Sequence, residues 1–554
     1  MPVVELNINR IKKLISGQVT KKKIIENLPF LGLDIESQDG DQIRVEYSPN
    51  RPDYSTDFGI ALGLQGLLGI KKGILKTNIK KEGEYEIKVN SSVSKIRPFV
   101  TGIVAKNGII DDQTIKQLMN MQEDLHLGIG RKRKKSSIGL HDLDKISFPL
   151  TYTTTSRDHK FVPLNSTVES TINDILSETD VGQNYGWTLG DSKNVPIIID
   201  REENTVSFPP IINAAVTTVT TKTKNILVEV TSIDKDAAED MLSVVSTVLQ
   251  IAGFKISELK ITGGKNSTPK LNSRIIQYEP KFTAQILGLD ISISAMITSL
   301  KKCRLDATQN GKKIQCIIPR YRFDIFGSMD IVEEIALGYG IQNLEPKLST
   351  SETLGEKSVI TKKLELISKT AVGLGFTEVL NSTLTSENSF VLTNRAQIGS
   401  LSLSVLDSKS QEHTILRDLI LPGLIENISK NIHEPYPQKI FETGIVFRVP
   451  TKYESQHLGA VMAYKESNFS EMKAILQSIL KTGLKFDMTT EFPNENSNTE
   501  YGTRIFSKGR FAKVLVHDIV VGYVGEINSE VLDNFKIRTP VVGFDIDLSL
   551  IFEY

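Results

Sequence analysis

The chain has 554 residues, of which 39% are hydrophobic and 24% are charged, and this composition is typical of a protein that forms ordinary apolar cores. Because one domain typically holds ~100–200 residues, several domains are expected. Lys plus Arg and Asp plus Glu both number 66, which excludes an overall basic field, although local basic patches remain compatible with RNA binding.

Two features bear on the cellular compartment. The cysteines, Cys303 and Cys316, are too few for a disulfide framework or a cysteine-based zinc site, and they suit a reducing cytosol. No apolar run approaches the ~20 residues that span a bilayer, and the lysine-rich N-terminus lacks the apolar core of a signal peptide. We therefore expect a cytoplasmic protein that does not contact a membrane.

Residues 1–80 are predicted to form a small α/β module. Helical spacing covers residues 8–15, Thr20 caps a second helix, and a hairpin is predicted over residues 34–47. A third helix is predicted from Ser55 or Thr56 to Leu68.

The string Ser-Pro-Asn-Arg-Pro-Asp at residues 48–53 precedes that third helix. Its prolines favour a rigid, extended turn that presents Arg51 and Asp53 at the start of the helix. Taken alone, the string favours a connector in which Asp53 helps to cap the helix, rather than a catalytic role. With Gly59 to Ala61 behind it, the string resembles the N-terminal module of phenylalanyl-tRNA synthetase β subunits, in which Pro-Asn-Arg-Pro-Asp recurs.

Residues 85–265 are predicted to form a second, mixed α/β domain. Strands are expected at residues 85–89, 100–105 and 226–230, and helices at residues 112–125 and 236–252. Five consecutive basic residues, 131–135, are compatible with phosphate binding, but a run of charges is more commonly an exposed loop, and we predict a loop here. Gly128 and Gly130 do not form a dinucleotide-binding fingerprint, because the third glycine and the preceding strand are missing.

His141 lies beside Asp142 and Asp144, a combination that occurs in acid–base and metal sites. A single histidine without a second one at ligand spacing is more commonly structural. The residues alone therefore favour a structural role for His141.

The string Phe-Pro-Pro-Ile-Ile-Asn at residues 208–213 is the most specific feature of the second domain. Its double proline favours an extended turn and places Asn213 on a loop between strands. The domain resembles the editing domain of archaeal and eukaryotic phenylalanyl-tRNA synthetase β subunits, which removes tyrosine wrongly attached to the phenylalanine tRNA. Such a site must accept the tyrosine hydroxyl, for which the synthetic pocket offers no partner.

The resemblance implies an editing pocket that contains His141 and Asn213 and is shaped by Pro209 and Pro210. Where the family often has Ser or Gly followed by an acid, this chain has Ala214 and Ala215. The loss of a possible polar contact leaves a working editor and a scaffold with a dead pocket as alternatives.

A join at residues 263–268 leads to a third module at residues 272–345. Helices at residues 280–287 and 292–303, a strand at residues 313–318 and one more helix predict a winged-helix-like shape with a short strand pair. Such a shape is compatible with nucleic-acid binding or with a scaffold role.

Four carboxylates follow that strand and open the last helix of the module, namely Asp324, Asp330, Glu333 and Glu334. One interpretation is helix capping, with Asp330 as the N-cap and Glu333 at position N3. The other is a site for a hard cation such as Mg²⁺, and the spacing does not decide between them. Residues 319–340 resemble a signature of the same β subunits, and the resemblance implies that these four acids hold Mg²⁺.

After a polar linker at residues 349–353, residues 355–554 predict an α+β domain with a largely antiparallel sheet. The elements expected there are helices at residues 362–374 and from 424 to 433, strands at residues 377–384, 512–516, 520–527 and 541–548, and a strand pair at residues 439–448. The domain resembles the catalytically degenerate, class II synthetase-like domain of the same β subunits. Arg417 and Arg448 are candidates for binding ATP, but no complete class II set is evident, so surface arginines at an interface with an α subunit are favoured.

The fold class is therefore an α+β multidomain protein with these four parts in order. The resemblance covers the chain from about residue 5 to its end and is to the short archaeal type. It implies an (αβ)₂ assembly that charges tRNA(Phe) with phenylalanine. In that assembly ATP is bound mainly by the α subunit, and this chain provides tRNA contacts, a scaffold, a Mg²⁺ site and proofreading. The alternative is a free-standing tRNA-binding or trans-editing protein without a synthetase partner.

Overall fold

The computed structural model describes residues 2–76, 79–81, 83–263, 269–346, 348, 353–395, 402–448, 452–493 and 503–552. These residues form a mixed α/β architecture with several separate sheets. The chain divides into two compact units, Met1–Leu348 and Ser349–Tyr554. Most of the two predicted joins, residues 264–268 and 349–352, lies outside the described residues. None of the described helices is long and apolar enough to cross a membrane.

The N-terminal module combines a small antiparallel sheet with three helices, as predicted. Its strands lie in the order β1-β3-β2. The elements are β1 Val3–Asn7, α1 Ile8–Ile15, α2 Lys21–Asn27, β2 Leu33–Asp39, β3 Gln42–Tyr47 and α3 Asp57–Leu67. Helix α3 is buried along nearly its whole length, and a Cβ atom at Gly66 would lie 2.1 Å from the carbonyl oxygen of Lys302. Glycine at position 66 therefore lets α3 pack directly on the third module of the same unit.

The turn before α3 corrects one expectation. The side chain of Thr56 caps the helix by accepting a hydrogen bond from the Gly59 amide. Asp53 lies in a short 3₁₀ turn, Pro52–Ser55, and pairs with Arg51 instead. The predicted capping role of Asp53 is wrong, because its carboxylate is already taken by a charged partner two residues away.

The second domain contains two main sheets, which the described residues order as β12-β11-β10-β7-β4-β15 and β14-β5-β13-β6. Its strands are β4 Glu86–Val89, β5 Phe99–Lys106, β6 Ser136–Asp142, β7 Leu150–Ser156, β8 Lys160–Phe161, β9 Ser170–Thr171, β10 Asn194–Ile199, β11 Thr205–Phe208, β12 Ile212–Asn213, β13 Ile226–Ser232, β14 Lys255–Glu258 and β15 Lys260–Thr262. Its helices are α4 Asp112–Leu127, α5 Ile172–Glu178, α6 Asp180–Tyr185 and α7 Lys235–Ile251. Every residue of β13 is buried, which makes this strand the centre of the domain.

The third module has three helices, as predicted, but a three-stranded sheet in the order β16-β18-β17 rather than a strand pair, counted over its described residues. Its elements are β16 Arg274–Tyr278, α8 Pro280–Leu287, α9 Ile293–Lys302, β17 Asp306–Asn310, β18 Lys313–Ile318 and α10 Ser328–Tyr339. The N-cap of α10 is Gly327, and Asp330 occupies position N3. The predicted assignment of Asp330 as the N-cap is therefore wrong by three residues.

The described part of the second unit is built on one sheet in the order β19-β22-β23-β27-β26-β25-β24, antiparallel except for the β19–β22 pair. Its strands are β19 Thr377–Glu378, β20 Leu384–Thr385, β21 Ile415–Leu416, β22 Gln438–Arg448, β23 Lys452–Ala463, β24 Thr489–Glu491, β25 Phe506–Val516, β26 Ile519–Ile527 and β27 Val541–Asp547. Its helices are α11 Val359–Gly373, α12 Asn388–Leu392, α13 Leu421–Lys430, α14 Phe469–Ser478, α15 Ser529–Asn534 and α16 Leu548–Phe552. Two expectations are corrected here: residues 439–448 belong to one long strand rather than a pair, and residues 377–384 hold only the short strands β19 and the start of β20.

Candidate functional sites

A buried histidine and a buried glutamate meet on neighbouring strands at the centre of the second domain. In the pairing of β6 with β13, His141 lies opposite Leu227 and Gly139 opposite Glu229. The His141 ring is fully buried, with Nδ1 2.8 Å from Thr217 Oγ1 and Nε2 3.9 Å from Glu229 Oε1. A Cβ atom at position 139 would lie 2.5 Å from both Glu229 Oε1 and His141 Nε2, so only glycine leaves room for this approach.

Two polar side chains from the neighbouring sheet complete this cluster. Ser207 Oγ donates a hydrogen bond of 3.0 Å to Glu229 Oε1 and lies 3.4 Å from Asn213 Oδ1. The Pro209-Pro210 turn pairs β11 with β12, and this pairing sets Asn213 directly opposite Ser207. Asn213 is therefore the last residue of a short strand, not a loop residue as predicted. Its Nδ2 donates to the carbonyl oxygen of Leu140, which fixes the amide beside the cluster.

The cluster borders a cavity of about 180 Å³. Three of the four predicted pocket residues, Pro209, Pro210 and Asn213, line it. Further lining residues include Met119, Glu123, His126, Arg133, Ile138, Val181, Ser207, Phe208 and Glu229. In the described structure His141 stands behind Glu229 and is not among the lining residues, so any contribution of its ring to the cavity acts through the glutamate.

Ala214 and Ala215 lie outside this lining, as far as the described residues show. The amide of Ala214 donates to the carbonyl of Val206, and that of Ala215 donates to the carbonyl of Val162. Both alanines thus serve as backbone links, and the expected loss of a polar contact at these positions does not change the groups that face the cavity.

One wall of the cavity is held by a second ionic cluster. Arg133 donates to the carbonyl of Ile211 at 2.8 Å and to Glu123 Oε1 at 2.7 Å. His126 Nε2 accepts the Ile138 amide, so its Nδ1 carries the proton toward Glu123, and burial lowers the pKa of His126. Arg131, Lys132 and Lys134 are exposed, as the prediction of an exposed loop requires. Arg133 is buried, so the prediction is wrong for this residue.

Glu229 is the important residue that the sequence interpretation missed. Its side chain is 2% exposed, and its Oε2 atom, like His141 Nε2, has no hydrogen-bond partner among the described residues. A buried, unpaired carboxylate oxygen costs stability, and perturbed or unsatisfied buried acids in a cavity are candidate functional groups. The signal was present in the sequence, since Glu229 interrupts the apolar run Ile-Leu-Val-Glu-Val of a strand that was predicted correctly.

The four acids of the third module face a different environment. Arg322, only 1% exposed, donates from Nε and Nη2 to Asp324 at 2.9 and 2.8 Å, and from Nη2 to Glu334 Oε1 at 2.5 Å. Burial opposes ionisation of Asp324, but the Arg322 guanidinium outweighs it and lowers the pKa of Asp324. Two of the four acids thus share one internal cation as their hydrogen-bond partner.

The other two acids are closer to solvent. Asp330 Oδ2 accepts the amides of Phe326 at 2.7 Å and Gly327 at 2.8 Å, which is the capping role open to an acid at N3. Glu333 is exposed, and partial burial together with the charges of Glu334, Asp330 and Asp324 raises its pKa. The Glu333 carboxylate is therefore near enough to the other three acids to be repelled by them.

The fit of this segment to Mg²⁺ is limited to one binding mode. No group of three or more His, Cys, Asp or Glu side chains in the described residues is arranged to hold a metal ion. A closed cage of four carboxylates does not fit, because Arg322 occupies Asp324 and Glu334. A hydrated Mg²⁺ that takes one or two direct carboxylates does fit, since Glu333 is exposed and Asp330 Oδ1 takes part in neither capping bond.

The proline-rich string of the N-terminal module packs against this acidic segment. Arg51 makes a bidentate pair with Asp53, at 3.0 and 2.8 Å, and its guanidinium lies 3.9 Å from the centre of the Tyr54 ring. Arg51, Tyr54 and Glu334 line one small cavity. The proline-rich string and the acidic segment, nearly 300 residues apart in the chain, are thus neighbours within the first unit.

The second unit contains a buried histidine between two acids. His457 Nδ1 lies 2.6 Å from Asp545 Oδ1, and Nε2 lies 3.6 Å from Asp547 Oδ2. These residues line a cavity of about 310 Å³ together with Arg448. Arg417 is buried and paired with Glu442 at 2.5 Å, so its predicted place on the surface is wrong.

Three protein-family models match successive parts of the chain. Residues 87–243 match the B3/4 domain, residues 276–341 the tRNA synthetase B5 domain, and residues 341–548 the phenylalanyl tRNA synthetase beta chain CLM domain. The first of these contains the cavity with Glu229, and the second contains the four acids.

Relatives that align over the full length of the chain point to the same family as these domain matches. The chain is 35% identical to the phenylalanine–tRNA ligase beta subunit of Archaeoglobus fulgidus, over 100% of this chain and 99% of the relative. It is also 35% identical to that of Methanocaldococcus jannaschii, over 99% and 100%. Among solved structures, an N-terminal fragment of the phenylalanyl-tRNA synthetase beta subunit from Pyrococcus horikoshii is 26% identical, with a TM-score of 0.58 over 61% of this chain and all of the fragment.

Proposed function

The chain belongs to the family of phenylalanine–tRNA ligase β subunits, and from that premise we propose that it works in the cytoplasm with an α subunit as an (αβ)₂ heterotetramer. The assembly joins phenylalanine to tRNA(Phe) while ATP is cleaved to AMP and diphosphate, and the α subunit carries out that synthesis. This chain provides the scaffold, contacts to tRNA(Phe) and hydrolysis of wrongly attached tyrosine. Arg417 supports this division of labour, because its guanidinium pairs with Glu442 and is not available for ATP.

The four parts of the chain take different roles in this proposal. Residues 1–80 and the winged-helix-like module at residues 272–345 form a scaffold, which the close packing of Gly66 on Lys302 supports. Residues 85–265 are the editing domain. Residues 355–554 are a class II synthetase-like domain that has lost its catalytic groups and faces the α subunit.

The observation that carries the editing function is Glu229, which lines the cavity of the second domain and whose buried Oε2 atom has no hydrogen-bond partner among the described residues. Tyrosine differs from phenylalanine by one hydroxyl group, which is a hydrogen-bond donor. A buried acceptor in the cavity lining matches that donor, whereas phenylalanine would leave the carboxylate oxygen unpaired. The cavity therefore selects the amino acid that the synthetic site cannot reject completely.

The remaining residues of the cluster hold Glu229 in place. Ser207 donates to its Oε1 atom, and Asn213 is fixed beside Ser207 by the proline turn. His141 stands behind Glu229 at 3.9 Å and is a positioning residue in this scheme. Editing itself adds water to the ester carbonyl, breaks the bond between the acyl carbon and the ribose oxygen, and returns a proton to that oxygen.

We also propose that the acidic segment holds Mg²⁺, with Glu333 and Asp330 as the direct ligands and Asp324 and Glu334 reached through water. Such an ion would supply local positive charge at the start of α10. The repulsion that raises the pKa of Glu333 supports this, because a cation would relieve it.

The test of the editing function is hydrolysis of tyrosyl-tRNA(Phe) by the α/β complex, with Asn213→Ala and His141→Ala beside the wild type. We expect the wild type to release tyrosine and both variants to be slower. Normal phenylalanine charging without any release of tyrosine would contradict the editing function and leave the family assignment intact. The free-standing alternative requires that no class II catalytic chain co-purifies at equal stoichiometry.

A further inference from the structure

A patch of basic and aromatic side chains lies beside the cavity of the second domain, and we call it the rim. It consists of Arg131, Lys132, Lys134, Tyr185 and Trp187. Trp187 is the single tryptophan of the chain and is 53% exposed. The Lys134 ammonium lies 5.7 Å from the centre of its ring. An exposed aromatic face beside exposed cations can stack on a base while the cations contact phosphates.

The basic loop of the rim is built in a fixed shape. Arg131, Lys132 and Arg133 all have positive φ angles, of 47°, 54° and 65°, a conformation that costs free energy at each non-glycine residue. The Arg133 side chain anchors the loop through Ile211 and Glu123 and covers the Tyr185 ring at 4.2 Å. The fold thus gives up some stability to hold the neighbouring cations outward, which the sequence pattern alone did not reveal.

The rim borders the cavity because both share the same two segments. Arg133 of the basic loop and Val181 of helix α6 line the cavity. Lys134 and Trp187 lie one and six residues further along these segments. Lys135 is paired with Asp234 at 3.0 Å, whereas Arg131, Lys132 and Lys134 are exposed at the surface. These exposed cations and the aromatic face of Trp187 therefore adjoin the lining of the cavity.

We propose that the rim binds the single-stranded 3′ end of tRNA while its terminal aminoacyl group lies in the cavity. Trp187 stacks on one base, and Arg131, Lys132 and Lys134 contact the phosphates on either side. Cationic grooves with exposed aromatic rings are the common mode of binding for single-stranded nucleic acid. The assignment of an aminoacylated end, rather than another RNA strand, rests on the proposed editing function of the adjacent cavity.

The first experiment follows Trp187 fluorescence in the full-length chain as tRNA(Phe) is added. We expect quenching by intact tRNA(Phe), and a much smaller change with tRNA(Phe) that lacks its single-stranded 3′ end. Equal quenching by both RNAs, or none by either, would overturn the proposal. This readout does not depend on hydrolysis, so it decides the role of the rim even where the wild type fails to release tyrosine.

The second experiment measures kcat and KM for tyrosyl-tRNA(Phe) hydrolysis by the α/β complex. Stacking on one base is worth about 1–3 kcal/mol, so Trp187→Ala should raise KM about 5- to 150-fold with kcat little changed, and Trp187→Phe should restore most of the affinity. The triple variant R131A/K132A/K134A should raise KM. It should also reduce the slope of log K for binding against log[salt] by about 0.7 for each phosphate that the variant no longer neutralises.

A matched control uses two exposed lysines of the same domain, Lys222 and Lys224. They precede β13 at its Ile226 end, which pairs with Asp142, whereas the basic loop precedes Ser136 at the other end of the same pairing. K222A/K224A should leave KM unchanged. A rise in KM equal to that of the rim triple variant, or a loss in Trp187→Ala that Trp187→Phe does not restore, would show that general charge or folding accounts for the effect and would refute the proposal.

Discussion

Two groups of buried carboxylates in the first unit are compensated in opposite ways. Asp324 and Glu334 share the buried guanidinium of Arg322, and every charge of this trio has a partner within 2.9 Å. Glu229 receives a hydrogen bond from Ser207 but leaves Oε2 unpaired beside a cavity. Buried charges that are fully paired hold a structure together, whereas an acid left unpaired lowers stability and is retained for a contact that the folded chain itself does not make.

The sharpest way to break this contrast is to remove the shared cation. Arg322→Ala leaves the buried Glu334 and the half-buried Asp324 without their partner, and breaking a buried pair in this way costs about 3–5 kcal/mol. We expect hydrogen exchange of the α10 amides in the full-length chain to accelerate by about 10²–10⁴-fold. The exposed pair of Arg44 with Glu36, 3.7 Å apart, supplies the control. Arg44→Ala should change the free energy of opening that amide exchange reports by less than about 0.5 kcal/mol. Equal effects of both variants would mean that Arg322 is not the compensating charge.

Glu229 is expected to behave in the reverse manner. Glu229→Met keeps the volume and removes an oxygen that has no partner, so it should cost less stability than the loss of a fully paired acid, because only Ser207 loses an acceptor and its Oγ also lies 3.4 Å from Asn213 Oδ1. Hydrolysis of tyrosyl-tRNA(Phe) by the α/β complex should fall about 10- to 10²-fold, since a hydrogen bond to a charged group is worth about 1.5–3 kcal/mol.

Glu239 provides the matched control for Glu229. It is also buried, but its two oxygens accept from Thr101 at 3.1 Å and from the Lys270 amide at 2.9 Å. Glu239→Met should destabilise the chain by about 1–3 kcal/mol and leave tyrosine release unchanged. A loss of hydrolysis in Glu239→Met as large as in Glu229→Met would remove the distinction between paired and unpaired acids.

The same distinction explains what the sequence could predict. Helical periodicity and turn residues placed α1, α8 and β18 at their observed bounds, because local spacing determines such elements. Asn213, Pro209 and Pro210 were placed at the cavity by a specific string, whereas Glu229 was not, because its importance depends on strand neighbours far away in sequence. The capping role of Asp330 was anticipated in kind but shifted by one turn, and no local pattern shows that Arg322 reaches two acids at once.

His457 is an intermediate case, because the imidazole that compensates the carboxylates of Asp545 and Asp547 gains and loses its own charge with pH. Burial alone would lower its pKa, but the carboxylates of Asp545 and Asp547 outweigh both burial and the nearby Arg448 and raise the pKa of His457. A raised pKa stabilises the fold fully below the unfolded value of about 6.5, and that contribution is lost as pH rises through the folded value. The thermal midpoint of the full-length chain should therefore fall from about pH 6 toward alkaline pH, and His457→Gln should flatten this dependence. The exposed His433, changed to Gln, should leave the slope as it is.

The smallest expected effect concerns Mg²⁺, because Arg322 already pairs with two of the four acids. Binding to the folded state alone adds RT ln(1 + [Mg²⁺]/Kd), which is about 0.4 kcal/mol when the ion concentration equals Kd. Protection of the α10 amides in the full-length chain should rise by this small amount with MgCl₂ over an ionic-strength-matched NaCl control. Glu333→Gln should raise protection without the ion, since it relieves the repulsion that raises the pKa of Glu333, and it should abolish the response to the ion. The exposed Glu345, changed to Gln, should keep that response. If Mg²⁺ has no effect on the wild type while Arg322→Ala is strongly destabilised, the segment is a structural ion-pair network in this chain and the metal assignment fails.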